Sequence, residues 1–164
     1  MQPRPDSYYE RYSFCDAEIA TPPQMDLGLV VTIPCFNEPD LTGCLESLWL
    51  CDRPMCSVEV IVVINSPIGC DSRICAENAR AFKEASEFRD GHPDARLDFQ
   101  ILNFPNLPRK YAGVGLARKI AMDEAARRFD AVGKPGGIVV CYDADCGCDT
   151  NYLTALEEHF RKHP

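Results

Sequence analysis

Two carboxylates two positions apart, Asp143 and Asp145, stand directly after the apolar run Ile138-Val139-Val140-Cys141-Tyr142. Carboxylates delivered together by a buried strand repel one another and lose hydration unless a positive charge lies between them. A hard divalent cation, Mg2+ or Mn2+, shared with substrate phosphates would supply that charge. The competing reading is a solvated acidic turn, with Asp149 or Thr150 capping the helix that follows. The upstream strand favours the metal, because it carries the pair to the sheet edge where ligands collect. A calcium loop does not fit, since Gly147 would be fifth rather than sixth and the twelfth residue is Thr154.

Residues 99–122 contain Arg109, Lys110, Arg118 and Lys119 and no acid. Gly113-Val114-Gly115 opens a helix there, and a helix start with close glycine approach suits an anion. A basic loop opposite a carboxylate-held cation is what a diphosphate requires. The plainer alternative puts Arg109 and Lys110 on a loop surface and Arg118 and Lys119 beside a helix stripe. The Gly-x-Gly does not directly follow a strand, so a dinucleotide fingerprint is rejected. Pro34-Cys35-Phe36-Asn37-Glu38 sets an aromatic and two polar groups on one turn, suited to a planar base, with plain turn and capping chemistry as its rival. His92, His159 and His163 are scattered and expected at the surface.

The elements that must position these groups alternate. The continuous apolar run at residues 29–33 reads as a strand buried on both faces, 58–64 as a second buried strand, 97–102 as a third and the apolar 138–142 as a fourth. Pro34 is expected to end the first, Asn65-Ser66-Pro67 to close the second, and residues 103–111 to form a loop after the third. Between them, Leu41, Cys44, Leu45, Leu48 and Trp49 keep helical spacing after Pro39-Asp40, and Ile74, Cys75, Phe82, Ala85 and Phe88 do so before the Asp90-Gly91-His92-Pro93 break. A helix over 114–129 and a last one over 151–162, with Tyr152, Leu153, Leu156 and Phe160 inward, complete a β-α repeat. That order predicts an α/β sandwich around a mostly parallel sheet. Residues 1–26, with Pro3, Pro5, Pro22, Pro23 and the cluster Tyr8, Tyr9, Tyr12 and Phe14, read as an irregular leader before a domain over 27–164.

Composition narrows the class. The chain has 164 residues, 17 Lys+Arg against 25 Asp+Glu, a net charge of −8, and 46% hydrophobic residues. That is an ordinary globular domain, and its acidity argues against a nucleic-acid binder. No transmembrane run and no secretory signal are visible, so the expected address is cytoplasmic, with peripheral membrane attachment as a second option. Ten cysteines in 164 residues fall below the ~8–10% of a disulfide scaffold. Thiols are expected, with Cys44, Cys75 and Cys141 as small hydrophobes and a zinc site as the lesser alternative.

Taken together, these residues resemble the nucleotide-binding half of family-2 glycosyltransferases with the GT-A fold, a Rossmann-like nucleotide-diphospho-sugar transferase architecture. The resemblance is carried by Val30-Val31-Thr32-Ile33-Pro34-Cys35-Phe36-Asn37-Glu38, Val60-Ile61-Val62-Val63, Gly113-Val114-Gly115-Leu116-Ala117-Arg118 and Val139-Val140-Cys141-Tyr142-Asp143-Ala144-Asp145, in that order. It implies a nucleotide-diphosphate sugar as donor and a Mn2+ or Mg2+ ion bridging Asp145, with Asp143 nearby, to the diphosphate. It also implies inversion at the anomeric carbon, and donor contacts from Pro34, Phe36, Asn37, Glu38, Asn65, Gly113, Arg118 and Asp143.

This chain departs from the family at two points. Ile64 and Asn65 stand where the family carries an aspartate pair that reads uracil and ribose, so a UDP-sugar is the default donor only. Arg118 matches the family's arginine near the diphosphate, with Lys119 in place of the usual asparagine. The family's general base and acceptor pocket lie downstream of the metal motif, whereas this sequence stops at Pro164. No catalytic residue is therefore assigned here; the expectation is a truncated chain whose base lies beyond Pro164 and whose acceptor, saccharide or lipid, is unassigned. A sugar-phosphate nucleotidyltransferase would want a glycine-rich basic loop where Cys35-Phe36-Asn37-Glu38 stands. A non-catalytic nucleotide-binding or interaction domain is the remaining alternative.

Overall fold

The computed structural model describes residues 6–163. Four parallel strands form one sheet in the order β3-β2-β1-β4, with β1 spanning Leu27–Cys35, β2 Ser57–Pro67, β3 Leu97–Leu107 and β4 Ile138–Cys141. The helices are α1 (Asp6–Tyr12), α2 (Leu41–Trp49), α3 (Ser72–Gly91), α4 (Val114–Ala131) and α5 (Tyr152–Lys162). Strand alternation divides the core. Leu29, Val31, Ile33, Val60 and Val62 face α2, α3 and α5, whereas Val30, Ile61 and Val63 face α4. Parallel strands covered on both faces need this nearly unbroken Val/Ile content. The chain runs outward from β1 to β3, then crosses back to β4 on the far side of β1. The crevice between the ends of β1 and β4 is therefore the topological switch point of the sheet, the position where such folds bind ligands.

Local chemistry explains the boundaries. Asp40 caps α2, its carboxylate accepting from Gly43 N–H at 3.1 Å, and Asp71 caps α3 by accepting from Arg73 N–H at 2.7 Å. Pro34 does not end β1; it pairs with Val63 inside the strand. Its missing N–H would point, like the Thr32 carbonyl that accepts from Tyr142 N–H, toward the β4 side, where β4 has already stopped at Cys141. β2 runs on through Asn65 and Ser66, and β3 extends beyond residue 102 to Leu107 rather than opening into a loop. Pro105 is tolerated because β3 is an edge strand, and a register shift near Ser66 absorbs the irregularity.

Other expectations need correction. Within the expected irregular leader, Asp6–Tyr12 is helical; Pro3 and Pro5 lie outside the described residues. The leader crosses α4: Tyr8 and Tyr9 hydroxyls donate to Asp123 and Asp130, and the N–H groups of Glu18 and Ile19 reach the Glu124 carboxylate at 3.3 and 3.4 Å. Arg127 and Arg128 donate to the carbonyls of Cys15 and Thr21. Arg128 also forms a buried pair with Glu59 of β2. On α5, Leu153 is buried but Phe160 is largely exposed, because the helix presents only one narrow stripe to the sheet. Cys70 and Cys75 are joined in a disulfide, contrary to the expectation of thiols, and Cys141 is exposed on the edge strand, so only Cys44 of the three expected small hydrophobes is buried. His92 is half-buried, stacked on Phe88 at 4.0 Å, while His159 and His163 are exposed. Among the described residues, no helix is long and apolar enough to cross a membrane.

Candidate functional site

The switch-point crevice is a cleft of about 330 Å³ lined by Pro34, Phe36 and Glu38 after β1, Val114 at the start of α4, and Asp143, Ala144 and Asp145 after β4. Residues 143–146 form a tight turn closed by Cys146 N–H donating to the Asp143 carbonyl at 3.2 Å. Ala144 is buried in the core below, so the carboxylates that flank it are both held outward. Both are exposed, Asp143 with 62% of its side-chain surface accessible. The desolvation that spacing suggested is thus absent, and repulsion is relieved instead by Arg118, which donates to Asp143 at 2.8 Å. Asp145 has no such partner among the ion pairs of the described residues; the Cys146 thiol lies 3.7 Å from it. The turn is solvated, as the competing reading held, but neither Asp149 nor Thr150 caps α5, whose N-cap is Asn151 and makes no side-chain cap bond.

The first turn faces this pair. Phe36 is exposed at 43%, its ring available to a planar partner. Glu38 is half-buried and accepts from Asp40 N–H at 3.1 Å, which turns its carboxylate along the cleft wall. Asn37 adopts the left-handed region at φ 51°. Gly113, the residue before α4, has φ 137° and ψ −179°, a conformation open essentially to glycine alone. Val114, which lines the cleft, and Gly115 behind it are exposed, and the first N–H groups of α4 have no partner within the helix.

Of the expected cations, only Arg118 reaches the acidic turn. Arg109 donates to the carbonyls of Ile68 and Gly69 at 3.0 and 2.8 Å, Lys110 lies over the Tyr111 ring, and Lys119 pairs with Asp123 beneath the leader. The helical turn from Arg118 to Lys119 sends adjacent side chains to different faces, which a count of charge along the sequence does not register.

Asn65 does not line the cleft. It is 1% exposed, its Nδ2 donates to the Gly113 carbonyl at 2.9 Å, and its Oδ1 is buried without a partner. Sequence reasoning missed Asn78 of α3, which is 5% exposed. Its Oδ1 accepts from Asn37 N–H at 2.7 Å and its Nδ2 donates to the Asn65 carbonyl at 3.0 Å. A signal existed: Asn78 interrupts the apolar stripe of Ile74, Ala81, Ala85 and Phe88 at helical spacing, and a polar residue on such a stripe needs partners.

Burial pushes the Cys35 and Cys44 thiols up to about 12, so neither supplies a thiolate beside the cleft near neutral pH. Among the described residues, no three His, Cys, Asp or Glu side chains cluster closely enough to hold a metal alone. Two outward carboxylates on one turn fit a hard cation that draws its other ligands from phosphate oxygens and water. The general base expected beyond Pro164 lies outside the described residues.

No protein-family model matches the sequence, and no curated protein matches it. Solved structures do. TarS 1-349 of S. aureus superposes with a TM-score of 0.56 at 19% identity, covering 84% of this chain and 33% of that one. The same region in complex with UDP gives 0.57 at 20% identity, again over 84% and 33%, and in complex with UDP-GlcNAc 0.56 at 20%, over 84% and 32%. This chain therefore spans about a third of those structures. The likeness identifies the fold, the Rossmann-like GT-A architecture of a parallel sheet flanked by helices.

Proposed function

We propose that this chain is the donor-binding part of a metal-dependent, inverting glycosyltransferase of the family-2 type, and that its donor is a nucleotide-diphosphate sugar with UDP as the nucleotide. The observation that carries this reading is the meeting of Phe36 and Glu38 with Asp143, Asp145 and Arg118 around one cleft at the switch point of the sheet. The structures of the same fold that hold UDP and UDP-GlcNAc support it.

Each residue then has a task. The Phe36 ring stacks on the base, over the Pro34 floor, and the Asn37–Glu38 turn offers polar groups to the nucleoside. The unpartnered Oδ1 of Asn65 is an acceptor orphaned at this edge of the sheet. Buried behind the cleft, Asn65 serves the donor site indirectly, its Nδ2 bond to the Gly113 carbonyl tying the end of β2 to the start of α4. Arg118 and the first N–H groups of α4, freed by the Gly113 conformation, stabilise charge on the leaving diphosphate. A Mn2+ or Mg2+ ion would be held by Asp145, with Asp143 beside it, and would supply charge neutralisation at the diphosphate. The acceptor hydroxyl and the base that deprotonates it belong to the rest of the enzyme.

Calorimetric titration of UDP and GDP, with Mn2+ and with chelator, tests the reading. The expected result is Mn2+-dependent binding of UDP that is lost in Asp145→Ala. Absence of binding by the unaltered chain, or binding indifferent to both metal and Asp145, would overturn it.

A further inference from the structure

We propose that Asn78, which touches no part of the cleft, is the positioning residue of the donor site, a role that rests on the donor-binding reading above. Its amide spans two of the three segments that surround the nucleotide position. Oδ1 accepts from Asn37 N–H at 2.7 Å, and Nδ2 donates to the Asn65 carbonyl at 3.0 Å. Asn65 then passes the connection on, its own Nδ2 donating to the Gly113 carbonyl at 2.9 Å. One relay thus fixes the turn that carries Phe36, the end of β2 and the start of α4 relative to one another.

The relay has the features of a positioning device. Asn78 and Asn65 are buried, at 5% and 1% exposure, so these bonds are shielded from competing water. The α3 backbone beneath is anchored by Ala81, Ala85 and Phe88 in the core, so the Asn78 amide is a fixed reference. The groups it holds are strained or irregular: Asn37 sits in the left-handed region at φ 51°, and Gly113 at φ 137°. A left-handed asparagine reverts readily to ordinary backbone conformations when nothing holds its N–H, and Phe36, one residue earlier, would turn with it. The strands themselves pair without help from Asn78, so its bonds serve the ligand edge rather than the sheet.

The test pairs two variants with two readouts: amide hydrogen exchange resolved by NMR, and UDP titration in Mn2+. In Asn78→Ala, exchange at Asn37 should accelerate about tenfold or more while Val31 and Val62 in the central strands stay unchanged, and UDP affinity should fall about tenfold. Asn78→Asp keeps an acceptor for Asn37 N–H but loses the donor to Asn65, so Asn37 should stay protected while UDP affinity still falls. Unchanged UDP affinity in both variants overturns the positioning role. So does a loss of protection shared equally by Asn37 and the central strands, which marks general destabilisation. Failure of the unaltered chain to bind UDP overturns the donor reading itself and the ligand role of Asn78 with it, an outcome distinct from equal binding by variant and parent.

Discussion

Arg118 on the second turn of α4 donates to a carboxylate oxygen of Asp143 at 2.8 Å, tying the helix that opens on the cleft to the acidic turn after β4. The pair is partly exposed, with side-chain accessibilities of 35% and 62%, so it adds little to stability. Its meaning is electrostatic. Asp143 already has a cationic partner, whereas Asp145 has none among the ion pairs of the described residues.

Substitutions along this pair should therefore separate. Asp145→Asn should abolish Mn2+-dependent UDP binding, and Asp143→Asn should weaken it about tenfold. Arg118→Ala should weaken UDP more than tenfold by removing a guanidinium from the phosphates, yet cost less than about 1 kcal/mol of stability. Titration together with thermal unfolding of the three variants checks the ordering.

The two glycines around Val114 should respond oppositely to alanine. No atom lies within 4 Å of a Cβ built on either, so steric contact does not distinguish them. Gly113→Ala forces an L-residue to φ 137° and should cost about 1–3 kcal/mol. Gly115, inside α4 with no positive φ, should tolerate alanine or gain up to about 1 kcal/mol. Urea unfolding of both variants decides it.

The buried Glu59–Arg128 pair predicts an asymmetry. Glu59→Ala leaves Arg128 buried without its carboxylate and should cost about 3–5 kcal/mol. Replacing both, as Glu59→Leu with Arg128→Met, should recover most of that loss, short of the bond to the Thr21 carbonyl. Chemical denaturation of the single and double variants measures the difference.

Glu157 on α5 should confer a pH-dependent share of stability. Burial alone would raise its carboxyl, but the N–H groups of Met55 and Cys56, donating at 2.9 and 2.8 Å, hold it below its ordinary value of 4.5. A value depressed by folding contributes fully above the unfolded value and is lost as pH falls through the folded one. Glu157→Gln should therefore be about 1 kcal/mol less stable than the parent at pH 7, a gap that narrows as pH falls below the ordinary value of 4.5 and closes only once pH has passed the lower folded value. Melting curves across that range show whether it does.

The β-α alternation was legible because the central strands β1 and β2, covered on both faces, are nearly unbroken apolar runs, and because Asp40 and Asp71 cap as their types suggest. The cleft was partly legible: Phe36, Glu38, Asp143 and Asp145 each sit where a strand-to-helix turn delivers them. What stayed hidden depends on three-dimensional pairing. The extension of β3 past Pro105 needs the partner strand β2 and an edge position, neither of which a local pattern contains. The split of Arg118 from Lys119 follows from helical rotation, and Asn78 gains its meaning only from a turn 41 positions away and a strand end 13 positions away.

The leader that crosses α4 has a consequence in time. Its bonds to α4 join positions 105 to 121 residues apart, from Ile19–Glu124 to Tyr9–Asp130. Contacts of such separation close late, after the local α-β units exist. On a ribosome adding about 5–20 residues per second, the first tyrosines wait roughly 5–25 s for their carboxylates to emerge. Until the leader docks, Asp123 and Glu124 stand in water, and the helix that opens on the cleft has only its sheet-facing side covered. The leader, made before α4, is thus seated after it, and it completes the far wall of the helix whose opposite end opens on the cleft.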